Sequence, residues 1–203
     1  MKTVTFANKT IIPTKIVCIG LNYVDHIKEL NNQVPTQQVL FMKPNSAIGD
    51  ELVADPKDVI HYEGEVSLLV EGGRYTAVAF GLDLTKRDLQ SSLRKQGHPW
   101  ERAKGFDGAA VFSKFVEFDG DVTGLRLELH INDTLVQSGG YELMINKPED
   151  ILTEVQSFTT LNDGDIIMTG TPQGVGPMVA GDRYVGKVFS GDELLVEAEW
   201  VVR

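Results

Sequence analysis

The run His61-Tyr62-Glu63-Gly64-Glu65 opens the apolar segment Val66 to Val70. On a strand, residues i and i+2 project to the same face, so Glu63 and Glu65 aim two carboxylates at one place. Such charges repel, and a proton, solvent or a bound divalent cation relieves the repulsion. The plain alternative is an exposed strand edge. Gly64 between them leaves the opposite face open to close packing. A third carboxylate, Asp83, follows the segment Tyr75 to Leu82 just before an expected helix start, where sites are commonly built and where turn formers and caps also occur. Glu63, Glu65 and Asp83 together would make an all-oxygen set without thiolate or obligatory imidazole. That set favours Mg²⁺ or Mn²⁺ over Zn²⁺ and leaves coordination positions for water or substrate oxygens.

In Gly20-Leu-Asn-Tyr-Val-Asp-His-Ile-Lys-Glu29, His26 and Glu29 stand at i, i+3 of a helical turn. The carboxylate can hold one ring nitrogen and leave the other as a base; a surface ion pair is the bland alternative. Lys104 lies among aromatic and small residues in Trp100-Glu-Arg-Ala-Lys-Gly-Phe106 and could stabilise a developing oxyanion, although solvated surface is the usual fate of lysine. The loop Met168-Thr-Gly-Thr-Pro-Gln-Gly-Val-Gly-Pro177 could present the Thr171 hydroxyl and main-chain donors to a ligand. It lacks the endings of a nucleotide or dinucleotide fingerprint. His98 and His130 have no metal-ligand spacing, and the G-x-S-x-G motif is absent, so zinc-protease and serine-hydrolase chemistry finds no support.

These groups must be positioned by a mostly β chain. Turn signals such as Gly72-Gly73, Asn132-Asp133 and Asn162-Asp-Gly-Asp165 separate the strand-like segments Lys15 to Ile19, Val66 to Val70, Tyr75 to Leu82, Leu125 to Ile131, Asp165 to Met168 and Glu193 to Val202. The alternation from Arg126 to Asn132, reversing into Leu135-Val136, predicts a hairpin with one wet face. Three segments have helical character. Thr85 to Gln96 carries Thr85 as N-cap, Asp88 as its box partner and Gly97 as stop; Pro148 to Phe158 aligns Ile151, Leu152, Val155 and Phe158; Tyr23 to Leu30 is a short polar turn ended by Asn31-Asn32. No repeat, low-complexity stretch or linker divides residues 1–203, which read as one domain.

With 29 acidic against 19 basic residues, the net charge of −10 disfavours nucleic acid as a partner. Hydrophobic content of 42% and charged content of 24% are globular values. Small anionic substrates would need a local cation. The lone Cys18, in an apolar strand, reads as a buried inert thiol. Neither a leader pattern nor a membrane-length apolar run is visible, so a cytoplasmic protein is expected.

In this order the motifs resemble the fumarylacetoacetate hydrolase family, particularly its short single-domain branch of acylpyruvate hydrolases and oxaloacetate decarboxylases. The matching elements are Gly20-x-Asn22-Tyr23-x-x-His26-x-x-Glu29, Phe41-x-Lys43-Pro44, His61-x-Glu63-x-Glu65, Asp83-x-Thr85-x-Arg87-Asp88-x-Gln90, Trp100-x-x-Ala103-Lys104-x-Phe106 and Thr169-Gly-Thr-Pro-x-Gly-Val-Gly-Pro177. The resemblance implies a mainly β (α+β) fold, a rolled mixed sheet with a few short helices, and a homodimer. It implies Mg²⁺ or Mn²⁺ at Glu63, Glu65 and Asp83. His26 and Glu29 would form a catalytic dyad on a segment that closes over substrate, with Lys104 as the third catalytic group. Gln90, Thr171, Arg87 and Tyr23 would face a small 2-oxo acid. Two departures follow: Glu65 and Asp83 are close enough in sequence to require a tight hairpin at Gly72-Gly73, and Asn22 stands where some relatives supply a further carboxylate. Lys86 replaces a commonly small residue without an evident reason. The expected activity is hydrolysis of short acylpyruvates to pyruvate and a carboxylate. Oxaloacetate decarboxylation or keto–enol tautomerisation, or isomerisation or decarboxylation of a ring-cleavage 2-oxo acid, is the alternative, and a non-catalytic metal-binding β module the remote one.

Overall fold

Short apolar runs between Gly and Asx turns can bury both faces only in a layered sheet, and the computed structural model, which describes residues 1–30 and 32–203, shows how. Asn31, expected to help end the first helical turn, lies outside the described residues. The chain begins with a hairpin of β1 (Val4–Phe6) and β2 (Lys9–Ile11), then β3 (Lys15–Gly20), α1 (Val24–Glu29), β4 (Val39–Pro44) and β5 (Ile48–Gly49). Next come β6 (Ile60–Tyr62), β7 (Gly64–Glu71), β8 (Arg74–Asp83), β9 (Thr85–Lys86), α2 (Arg87–Lys95) and α3 (Glu101–Lys104). The remainder is β10 (Ala110–Phe112), β11 (Val116–Glu117), β12 (Leu125–Ile131), β13 (Thr134–Gly140), α4 (Pro148–Phe158), β14 (Ile166–Met168), β15 (Gly176–Pro177), β16 (Arg183–Ser190) and β17 (Glu193–Val201).

The main sheet is mixed, in the order β4-β3-β14-β7-β8-β10-β5, with β11 also on β8. Late in sequence, β14 inserts between two early strands, parallel to β3 and antiparallel to β7. A second, antiparallel sheet, β13-β12-β16-β17, packs across it, and β15-β6-β9 forms a small third. Alternation along β7 and β8 divides their side chains between two cores. Leu68, Val70, Val78 and Phe80 meet Leu127, Leu129, Tyr184 and Val188 of the second sheet, while Leu69, Ala77 and Ala79 face Ile16, Cys18, Phe115 and Met168. The sheet is therefore buried on both faces. Cys18 is buried and free, as its strand context suggests.

Several boundaries differ from the sequence reading. The turn at Gly72-Gly73 is as tight as expected, with φ of 58° and 74°, and Asn132-Asp133 likewise takes positive φ to close β12 on β13. The helix expected from Thr85 begins only at Arg87, because Thr85-Lys86 pair with β6 instead and no side chain caps the helix. α4 has the expected bounds, but Phe158 is exposed rather than on the buried stripe. Lys86 gains a reason: its Nζ reaches Asp58 at 2.7 Å and Asp55 at 3.7 Å and lies over the Phe106 ring, tying the 55–58 loop to β9. Among the described residues no helix is long and apolar enough to cross a membrane.

Asp165 is not the first residue of its strand but a buried anchor for β14. It accepts from Thr14 N and Oγ1 at 2.9 and 2.7 Å, Lys15 N at 3.1 Å and Asn162 N at 2.9 Å, and pairs with Lys15 Nζ. Burial alone would raise its pKa, but these donors hold it below the ordinary carboxylate value. A depressed folded-state pKa stabilises the fold above the unfolded value, and that contribution is lost as pH falls through the folded one. Asp165→Asn should therefore cost about 2–3 kcal/mol near neutrality, and the gap from wild type should shrink below about pH 4, measured as urea midpoints across pH.

Candidate active site

The site lies where β7, β8, α2 and α3 converge. Glu63 occupies the break between β6 and β7, Glu65 the start of β7 and Asp83 the end of β8; all three are buried, so the exposed-edge reading fails. Pairing of β7 with β8 sets Glu65 opposite Gly81 and Gly64 opposite Leu82, which brings Asp83 beside the glutamates. One ligand atom from each of the three lies within 4.8 Å of the others. Gly64 permits this crowding, since a Cβ there would stand 3.0 Å from both Phe80 and Gln137 Oε1.

Buried carboxylates need compensation, and here it is uneven. Lys104 Nζ donates to Glu63 Oε2 and Asp83 Oδ2, both at 2.7 Å, and to Thr85 Oγ1 at 2.6 Å. Arg87 Nη2 pairs with Glu63 Oε1, and the fully buried Lys43 pairs with Asp83 Oδ1 at 2.7 Å. Burial pushes the Glu63 pKa up, but Lys104, Arg87 and His26 more than reverse it, leaving Glu63 ionised far below the usual range. Lys104 is shifted up: Asp83 and Glu63 outweigh the burial that would lower it. Among the described residues Glu65 has no cation partner, only Gly170 N–H on Oε2 at 2.8 Å. Burial, then Asp83 and Glu63, push its pKa well up. This under-compensated hard-oxygen set fits a divalent cation, which would relieve Glu65 most.

His26 and Glu29 sit on α1. His26 is buried, against the surface-pair reading, and its Nδ1 meets Glu29 Oε2 at 3.0 Å, while Gly174 N–H fixes the other glutamate oxygen at 2.9 Å. A carboxylate only accepts, so Nδ1 carries the proton and Nε2 is left as acceptor. His26, Glu63, Glu65, Arg87, Gln90, Lys104 and Thr171 line one inner cavity of about 30 Å³, room for a water or two. Gln90 accepts from Arg87 Nη1 at 2.8 Å, orienting its amide along the wall. A larger cavity of about 640 Å³ near Asn45 and Asp107 lacks a comparable constellation of buried acid and base.

Three residues stand differently from the sequence reading. Thr171 lines the cavity, but its hydroxyl donates to Gly64 O at 2.9 Å and accepts from Gln137 at 2.8 Å, while the loop's N–H groups at Gly170 and Gly174 hold Glu65 and Glu29 rather than facing a ligand. Tyr23 does not reach the cavity: it caps α1, bridges Met144 and packs its ring on Gly139, and burial, then Glu65, raise its pKa. Lys104 has all three ammonium donors engaged by protein, so here it braces the carboxylates. Asn22 cannot replace a ligand carboxylate, because Thr169 O, Asn146 O and Asn146 N–H occupy its side chain.

Lys43 and Gln137 carry structural roles the sequence reading did not assign. Lys43 adds Leu84 O at 3.3 Å and Ala109 O at 2.9 Å to its Asp83 pair; a lone lysine inside the apolar strand Val39–Pro44 was its signal. Gln137 links Gly64 N, Thr171 Oγ1 and Pro172 O, with only its inward position on β13 to mark it.

A mixed sheet that converges buried carboxylates beside a histidine–glutamate pair fits an enzyme of acid–base chemistry, and comparison gives the family. Residues 15–201 match the family model described as fumarylacetoacetate (FAA) hydrolase C-terminal, and the chain belongs to that family. Oxaloacetate tautomerase YcgM of Escherichia coli (strain K12) is 40% identical over 199 residues, covering 89% of this chain and 90% of that one. The crystal structure of a fumarylacetoacetate isomerase/hydrolase candidate from Oleispira antarctica superposes with a TM-score of 0.92 at 35% identity over 100% of both chains. Fumarylpyruvate hydrolase from Pseudomonas aeruginosa, in complex with Mn²⁺ and pyruvate, gives 0.87 at 27% identity, covering 98% of this chain and 94% of that one.

Two outcomes follow. Lys43→Met strands Asp83 and the carbonyls of Leu84, Lys104 and Ala109 in the interior and should cost about 3–5 kcal/mol in urea denaturation. Glu65→Gln should fold normally and weaken Mn²⁺ binding, read by paramagnetic resonance of free ion, by about tenfold or more.

Proposed function

We propose that this chain interconverts the keto and enol forms of oxaloacetate, using Mg²⁺ or Mn²⁺ held by Glu63, Glu65 and Asp83. The observation that carries the reading is the geometry of His26: Nδ1 is fixed by Glu29, Glu29 is fixed by Gly174, and Nε2 is left as the base on the cavity wall. The 40%-identical tautomerase supports the substrate. A bound divalent cation supplies Lewis-acid polarisation of the 2-oxo acid. His26 Nε2 takes a proton from C3 of oxaloacetate, electrons move toward the 2-oxo oxygen, and the imidazolium returns one proton to that oxygen. Nothing is consumed, and the reverse order regenerates the ketone. Glu29 holds the tautomer and stabilises the transient imidazolium. Arg87 and Gln90 orient the acid, while Lys104 keeps Glu63 ionised and Asp83 in place.

Hydrolysis of a short acylpyruvate is the second reading. The same His26–Glu29 pair can activate water, and the Pseudomonas aeruginosa relative is a fumarylpyruvate hydrolase. Decay of enol absorbance with oxaloacetate, run beside pyruvate release from acetylpyruvate and oxaloacetate with Mg²⁺, Mn²⁺ or chelator, separates them. The expected result is fast chelator-sensitive ketonisation without matching pyruvate release; dominant pyruvate release from acetylpyruvate would replace tautomerisation by hydrolysis. His26→Ala should lower the tautomerisation kcat by about 10²- to 10⁴-fold, and Glu29→Gln by less.

A further inference from the structure

The site does not end at its inner cavity. Leu30, Arg87, Gln90 and Arg94 line both that cavity and an outer vestibule of about 380 Å³, so the two spaces are continuous along one face of α2. Arg94 guards the passage. Among the described residues it pairs with no carboxylate; its guanidinium lies 5.6 Å from the Trp100 ring centre, and Nη2 donates to Asn32 Oδ1 at 3.1 Å.

Among the described residues that bond leaves the Asn32 Nδ2 buried without an acceptor, and Arg87 Nε is likewise buried and unpartnered while its other nitrogens serve Glu63 and Gln90. In a chain of net charge −10 this is a local concentration of N–H donors short of acceptors. A buried donor without an acceptor is costly, and a planar guanidinium beside it matches a carboxylate. A carboxylate placed outward of the point where a 2-oxo acid would meet Glu63, Glu65 and Asp83 would supply the missing acceptor.

We infer that Arg94, aided by the Asn32 amide, is the specificity residue that receives the second carboxylate of a 2-oxo dicarboxylic acid. The inference rests on the reading that the inner site handles 2-oxo acids, and it narrows the substrate class from acylpyruvates with neutral tails to dianions. Arg94 touches the carboxylate next to the reacting carbon but neither gives nor takes the proton, which His26 handles, so its loss falls mainly on binding.

The test compares wild type, Arg94→Gln and Arg94→Lys on oxaloacetate and on its 4-methyl ester, by enol absorbance and by calorimetric binding to the Mn²⁺-loaded protein. For oxaloacetate, Arg94→Gln should raise KM about tenfold or more with kcat changed less than about threefold, and Arg94→Lys should recover most of the loss. For the ester, KM should not move. Added salt should weaken oxaloacetate binding by wild type more than by Arg94→Gln, because Arg94 is exposed and screened. Equal losses on both compounds, no loss on either, or no binding of either to wild type overturns the inference. Failure of wild type to tautomerise oxaloacetate sinks the proposed activity alone, since the difference between dianion and ester binding still decides the role of Arg94.

Discussion

Three carboxylates forced into one dry corner are the constraint on which this structure turns. Bringing Glu63, Glu65 and Asp83 together away from water is unfavourable unless opposite charges and N–H donors arrive with them. The chain answers with Lys43, Lys104 and Arg87, each fixed by further bonds, so that much of the interior around β7 and β8 is an electrostatic frame rather than an oil drop. Glu63 and Asp83 are well served by this frame and Glu65 is not. Among the described residues its only donor is a backbone amide presented by Gly170, where φ of 92° brings the N–H inward and where a Cβ would collide with Asn22. The imbalance leaves one carboxylate to be satisfied by what the site binds.

The fold supplies these partners from distant stretches. The loop after β14 delivers Gly170 to Glu65 and Gly174 to Glu29, so a single rigid segment sets both the carboxylate corner and the histidine–glutamate pair. Because β14 lies between β3 and β7, that loop is held by ladder bonds on both sides and by the Asp165 anchor. Gln137, from the second sheet, ties Gly64 to Thr171 and Pro172 and locks the loop to the strand that bears Glu65.

What could be read from sequence was local in sequence. Spacing of i, i+2 gave the glutamate pair, i, i+3 gave His26 with Glu29, and Gly72-Gly73 gave the hairpin that sets β8 beside β7. What could not be read depends on long-range pairing. Thr85 looks like a helix cap, but pairing with His61 on β6 takes it into a strand and frees its hydroxyl for Lys104. Thr171 looks like a ligand donor, but its hydroxyl is claimed by Gly64 and Gln137, far along the chain. Tyr23 sits in a motif with His26 and Glu29, yet its ring packs on Gly139. Asn22 and Lys43 illustrate the same limit: a polar residue in an apolar context signals a buried network without naming its members.

The place of β14 also sets the order in which the molecule can be completed during synthesis. β3 and β7, made early, have nothing to pair with on their facing edges until Ile166–Met168 emerge, so a growing chain carries an open slot flanked by two unsatisfied apolar edges for most of its translation. Glu63 and Glu65 are already present in that nascent chain, while the amides that hold Glu65 and Glu29 are not. A release factor acting early, or a frameshift past residue 150, would thus leave a product with exposed sheet edges and an acidic corner lacking its backbone amides, a substrate for chaperones and proteases rather than a partial enzyme.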